Sequence, residues 1–268
     1  MCHTGAMKHV IIGAVFSVWA VARCCAEPAA ERLVNATFKV FNSASTATGF
    51  LVKDAAPDAP RTNVVLVTAN HVFTKAKGDH VLLVCRVKDE NGAWQRLDHK
   101  VVIREKDADL WTRHPSQDVA VIRCTLPPEA VFDALPESAV TGETETAGLS
   151  VGTGLFYCSY PHRTEANGAG FPLLRTGVVS GYPLFPVAEY PKVFFTGPTF
   201  SGDSGAPIAM KVSGGDCPLA VVGLIITRTQ QNDRLKSDDW EVTFKRDISL
   251  GAFVHAAYIA ECLNALVR

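Results

Sequence analysis

The stretch Phe200-Ser201-Gly202-Asp203-Ser204-Gly205-Ala206-Pro207 brackets a serine with two glycines between runs of β-like sequence. By itself, Gly202–Gly205 reads as a tight turn whose glycines supply positive φ. Two stretches upstream give it more meaning. Val67-Thr68-Ala69-Asn70-His71 ends an apolar strand on a histidine, and Gln117-Asp118-Val119-Ala120-Val121-Ile122 opens another behind an acid. Singly, His71 reads as a surface or satisfied core histidine and Asp118 as a turn residue. The combination reads differently.

Acyl transfer by a serine needs a base to take the hydroxyl proton and an acid to fix that base's tautomer and stabilise its cation. It also needs backbone N–H donors aimed at the developing oxyanion. His71, Asp118, Ser204 and Gly202 supply one residue for each requirement. Glycine beside the serine lets the backbone turn its amides inward with no Cβ in the way.

These islands resemble the chymotrypsin/trypsin-like serine protease superfamily, in particular its bacterial, HtrA/Deg-type or glutamyl-endopeptidase-like branches. The matching residues are TANH ending at His71, DVAVI from Asp118, GDSGAP around Ser204, and TGFLV over Thr48–Val52. The resemblance spans most of the chain from Asn35 onward, although the signal lies only in these islands. It implies an all-β fold of two perpendicular six-stranded Greek-key β-barrels, with the site in the cleft between them and a closing C-terminal helix. It further implies Ser204 as nucleophile, His71 as base then acid, Asp118 as the orienting carboxylate, and the amides of Gly202 and Ser204 as oxyanion hole. Asp203 matches the acid that pairs with a newly cut N-terminus in zymogen-activated members. No Ile-Val-Gly-Gly follows an activation site here, so activity without cleavage is the expectation. The cysteines flanking His71 and Ser204 in animal trypsins are missing, and a PDZ domain after the protease core is not expected.

The rest of the chain agrees with strands. Apolar, β-branched stretches recur between Gly, Pro, Asn and Asp at Asn35–Phe41, Thr48–Lys53, Asn63–Thr68, Val81–Lys88, Asp118–Cys124, Leu149–Tyr160, Leu173–Gly181, Pro218–Thr227 and Glu241–Lys245. Leu126–Gly148, rich in Pro, Thr and Glu, is the expected connection between lobes spanning 27–135 and 136–268. A three-four apolar spacing predicts a helix over Leu250–Val267.

The chain has 268 residues, 47% of them apolar, with 26 basic and 27 acidic residues nearly cancelling. This balance argues against a polybasic nucleic-acid binder. Lys8 precedes an uncharged run, Val10–Ala22, that is too short for a membrane span and suits a secretory signal over residues 1–26, starting at Met1 or Met7. The expected location is therefore secreted or periplasmic, with no membrane span in the mature form. Export permits disulfides, and Cys85, Cys124, Cys158, Cys217 and Cys262 remain, an odd set whose pairing stays open. No Cys/His cluster has zinc-ligand spacing, so neither metal nor cofactor is expected.

Within the resemblance, Pro198, Thr199, Ile225, Ile226, Thr227 and Arg228 form the substrate-binding pocket. Pro198 stands where trypsins carry Asp, which disfavours cleavage after Lys or Arg. Thr199 suits a glutamyl endopeptidase, but Ile225 takes the place of that group's histidine. The expectation is a serine endopeptidase acting on polypeptides with a neutral, apolar or small residue before the cut. The alternative is a catalytically idle protease-fold protein that binds polypeptides. The oligomeric state stays open.

Overall fold

The computed structural model describes residues 29–42, 45–55, 59–106, 108–140, 148–212, 217–237 and 240–267. The expected export segment, residues 1–26, and part of the expected connection between lobes lie outside them. A helix α1 (Ala29–Ala36) leads into β1 (Thr37–Phe41), β2 (Thr46–Lys53) and β3 (Asn63–Thr68), followed by a one-turn helix α2 (Asn70–Thr74). Then come β4 (His80–Lys88), β5 (Trp94–Val102), the two-residue strands β6 (Arg104–Glu105), β7 (Ala108–Asp109) and β8 (Thr112–Arg113), and β9 (Ala120–Thr125). The second half holds β10 (Gly154–Ser159), β11 (Leu173–Val179), β12 (Lys192–Thr196), β13 (Pro207–Lys211), β14 (Leu219–Lys236), β15 (Glu241–His255) and a closing helix α3 (Ala256–Val267).

The second half closes as a six-stranded barrel in the order β10-β11-β12-β15-β14-β13. The first half forms a seven-stranded sheet, β5-β4-β1-β2-β3-β9-β8, where six strands were expected. With the C-terminal helix, this architecture fits the two-barrel chymotrypsin-like fold. Among the described residues no helix is long and apolar enough to cross a membrane.

Three cores explain why the strands read as apolar runs rather than as strict alternation. Along β3, Val64 and Leu66 face the core of the first lobe, with Phe38, Val40 and Leu83. Val65 and Val67 face a second core shared between the lobes, with Phe156, Val221, Val254 and the α3 residues Ile259 and Leu263. Tyr157, Phe195, Ile208 and Phe253 fill the interior of the second barrel. A strand buried on both faces loses its two-residue period.

That loss of period also misplaces one boundary. Leu250–His255, expected as helix, is the end of β15 and pairs with β12 from Thr196↔Leu250 to Lys192↔Val254. The helix begins only at Ala256. Short apolar runs buried all round satisfy helix and strand patterns alike. Six strands lie outside the expected stretches: the two-residue β6, β7 and β8, and the longer β5, β12 and β13. β5 is a polar edge strand held only by β4, whereas β12 and β13 are five-residue segments beside prolines.

All five described cysteines are free. Burial pushes the Cys85, Cys124 and Cys262 thiols up to about 12 and Cys158 further still. These four therefore behave as small apolar core residues.

Candidate active site

The histidine arrives at the end of β3. Ala69 stays extended and Asn70 starts α2, which puts His71 in the first turn. Asp118 holds it twice. The His71 backbone N–H donates to Asp118 Oδ1 at 2.8 Å, and the ring Nδ1 lies 2.6 Å from Asp118 Oδ2. Burial would raise the Asp118 carboxyl, but these hydrogen bonds, with the charges of His71 and Lys75, outweigh it and hold it below its ordinary value. An ionised carboxylate can only accept, so Nδ1 carries the proton and Nε2 is left as a base.

Two neighbours fix this pair. Asn70 Oδ1 accepts from the Trp111 indole at 3.0 Å. His114 Nδ1 accepts from the amides of Ser116 and Gln117, so its Nε2–H donates to Glu261 on α3 at 2.9 Å. The loop that carries Asp118 is thereby tied to the closing helix.

The serine turn is locked by its glycines. Gly202 and Gly205 have φ of +102° and +85°. A Cβ on Gly202 would come 2.2 Å from the Tyr160 carbonyl oxygen, and one on Gly205 would come 2.1 Å from that of Thr48. Only glycine satisfies both the angle and the space. Thr48 on β2 clamps the turn from the other lobe, donating its N–H to Ser204 O (2.9 Å) and its hydroxyl to Gly202 O (2.7 Å). Its own carbonyl accepts from the Thr68 hydroxyl at 2.7 Å, three residues before His71. One chain of hydrogen bonds therefore joins the histidine strand to the serine turn.

The amides of Gly202 and Ser204 have no acceptor among the described residues. Asp203 between them is 1% exposed. It accepts from the Phe200 amide and the Ser159 hydroxyl, both at 2.7 Å, and pairs with the Arg175 guanidinium. Arg175 also donates to Pro198 O and packs against the rings of Tyr157 and Phe200. The charge of Asp203 is thus balanced by a side chain of β11.

A cleft of about 390 Å³ brings together His71, Ser204, Gly202, Thr199 and the whole of Ile225–Arg228. Asp118 stands behind His71, facing a separate depression. Pro198 lies outside the cleft lining: its ring is exposed and its carbonyl is taken by Tyr157 and Arg175. The Thr199 hydroxyl is buried in the wall with no hydrogen-bond partner among the described residues. Arg228 leans away onto Asp247 at 3.2 Å. No hydrogen bond closes between Ser204 Oγ and His71 Nε2 among the described residues; such bonds commonly tighten only with substrate bound.

Sequence reasoning missed Thr48, Thr68, Arg175 and His114 as parts of the site. Thr48 and Thr68 stood inside the quoted TGFLV and TANH stretches, so a signal for them existed. Arg175 and His114 carried none, because the carboxylates they meet, Asp203 and Glu261, are distant in the chain.

No family model matches the chain, and no curated protein matches it. Among solved structures, it is similar to the serine protease of a human pathogenic astrovirus at 15% identity, with a TM-score of 0.43 over 83% of this chain and 90% of that one. It is also similar to the Rv3671c protease in its inactive form, at 17% identity and a TM-score of 0.46 over 90% and 93% of the two chains. An inactive form of Rv3671c from M. tuberculosis H37Rv gives 17% identity and a TM-score of 0.44, covering 90% of each chain. The chemistry of the site rests on its own residues.

Proposed function

We propose that this chain is an exported serine endopeptidase that works through an acyl-enzyme. The observation that carries this reading is the double hold of Asp118 on His71 beside a cleft lined by Ser204, where the amides of Gly202 and Ser204 have no acceptor among the described residues. Ser204 Oγ forms a bond to the scissile carbonyl carbon while His71 Nε2 takes its proton. The oxyanion accepts hydrogen bonds from the amides of Gly202 and Ser204. The C–N bond then breaks, and His71 returns the proton to the leaving amine. Water repeats the sequence on the acyl-enzyme: His71 takes its proton, and Ser204 leaves with it.

Two further features fit this reading. The Arg175–Asp203 pair holds the turn without a cut N-terminus, which favours a chain active without zymogen cleavage. The walls Thr199 and Ile225–Thr227 suit a neutral, apolar or small residue before the cut, since Arg228 is balanced by Asp247. Residues 27–135 and 136–268 act as two lobes of one peptidase unit, and residues 1–26 direct export to a secreted or periplasmic site. A fluorophosphonate probe followed by peptide mapping tests the nucleophile. Labelling at Ser204 is expected, and absence of label in folded protein overturns the reading.

A further inference from the structure

β14 leaves the barrel. On one edge it is paired with β13 only from Leu219 to Leu224. Beyond Ile225 that edge carries no strand among the described residues, while the other edge stays paired with β15 out to Lys236↔Glu241. Register shifts at Ile225/Thr227 and Arg228/Gln230, with Ser249 at φ +55°, bend the pair where it departs. The outer half is a two-stranded ribbon continuous with the wall of the cleft.

The ribbon has two unlike faces. Residues directly opposite share a face and alternate along the strand. One face presents Leu235 opposite Val242, Asp233 opposite Phe244 and Gln231 opposite Arg246, with Arg246 paired to Asp233 at 2.6 Å, so its outer end is apolar and its inner end polar; the other presents Arg234 opposite Thr243, Asn232 opposite Lys245, and Lys236 opposite Glu241. Leu235, Val242 and Phe244 are 54%, 48% and 42% exposed, and Trp240 at the tip is 54% exposed. A lone two-stranded ribbon is marginal in water, and an apolar face with a free edge is what a third strand would cover.

We propose that the ribbon binds the substrate polypeptide itself, as a third strand on the free edge of β14, upstream of the scissile bond. This rests on the endopeptidase reading above. The acyl-side pocket is built from Thr199 and Ile225–Thr227, so the chain before the cut is the part led onto β14. At about 3.3 Å per residue, β14 from Arg228 to Leu235 reaches about 20 Å past the cleft. That length matches roughly the fourth to the tenth residue before the cut. Backbone pairing supplies the binding, and alternate apolar side chains meet the Leu235 face. The preferred substrate is an extended segment whose apolar residues fall at the outer end of the ribbon, against Leu235, well upstream of the bond cleaved.

Two fluorogenic peptides with one common cleavage sequence test this, the second extended upstream by six residues alternating Val and Thr. The extension is expected to raise kcat/KM about tenfold, through KM. Phe244→Glu and Leu235→Glu bring the ratio of the two peptides close to one, whereas Thr243→Glu on the polar face preserves it. Equal rates for the two peptides, or a gain that survives both apolar-face variants, overturn the proposal. So does a dimer in sedimentation that Phe244→Glu dissociates without any effect of peptide length. Anisotropy of the labelled peptides on Ser204→Ala gives a reading free of turnover. If neither peptide is cleaved, tighter binding of the extended one, lost in Phe244→Glu, upholds the ribbon and overturns the endopeptidase. Cleavage without length dependence does the reverse.

Discussion

The two halves of β14 share a strand and nothing else. Val221, Val222 and Leu224 are fully buried, held by β13, β15 and two cores. From Thr229 outward the strand is exposed or half-exposed and held by β15 alone. The inner half is fixed by everything around it and runs directly into the cleft wall at Ile225–Arg228. The outer half is fixed only by cross-strand pairs and offers an edge and a face. Rigidity is concentrated where a reacting bond would have to be placed, and adaptability where a long chain would have to be gathered.

Substitutions at the two ends should therefore differ by orders of magnitude. Ser204→Ala is expected to lower peptide hydrolysis by about four to six orders of magnitude with little change in Tm, measured by residual kcat against thermal melting. Gly202→Ala forces a Cβ onto the Tyr160 carbonyl at a φ that disfavours it. Both activity and probe labelling should be lost, while far-UV circular dichroism still reports strands. Arg175→Met leaves the Asp203 carboxylate buried and unpaired, a loss of about 3–5 kcal/mol measurable by urea unfolding. Lys in place of Arg175 should recover only part of it, because the fork that bonds Asp203 and Pro198 together is gone.

A smaller effect is expected from pH. His255 is buried where β15 meets α3, and burial lowers its pKa despite the Leu184 and Tyr190 carbonyls. Below the ordinary histidine value, about 6.5, the unfolded chain binds a proton that the folded chain does not, so stability falls as pH falls. Above it the contribution is complete and flat. His255→Phe should flatten Tm between about pH 5 and 7. The smallest effect is on the ribbon, where Thr243→Glu should shift stability by no more than about 0.5 kcal/mol.

The serine turn was legible because its chemistry is local. Gly202, Asp203, Ser204 and Gly205 state the turn in four adjacent residues, and His71 and Asp118 each mark a strand end. The Arg175–Asp203 pair was not legible, since nothing near Arg175 in sequence announces a carboxylate 28 residues away. The ribbon was half legible: Glu241–Lys245 reads as a strand, but its partner beyond Thr227 is too polar to show a period. Ile225 to Arg228 were placed at the cleft by resemblance and line it, while Pro198, placed by the same count, faces outward. A motif fixes the backbone it contains better than a pocket assembled from several loops.

The most direct measurement is an acid-quenched intact mass of the protein mixed with a slowly deacylating peptide ester, followed by peptide mapping. One acyl group per chain on Ser204, absent in His71→Ala, is the predicted result. Ester hydrolysis with no adduct, or an adduct that remains after Ser204→Ala, would contradict it.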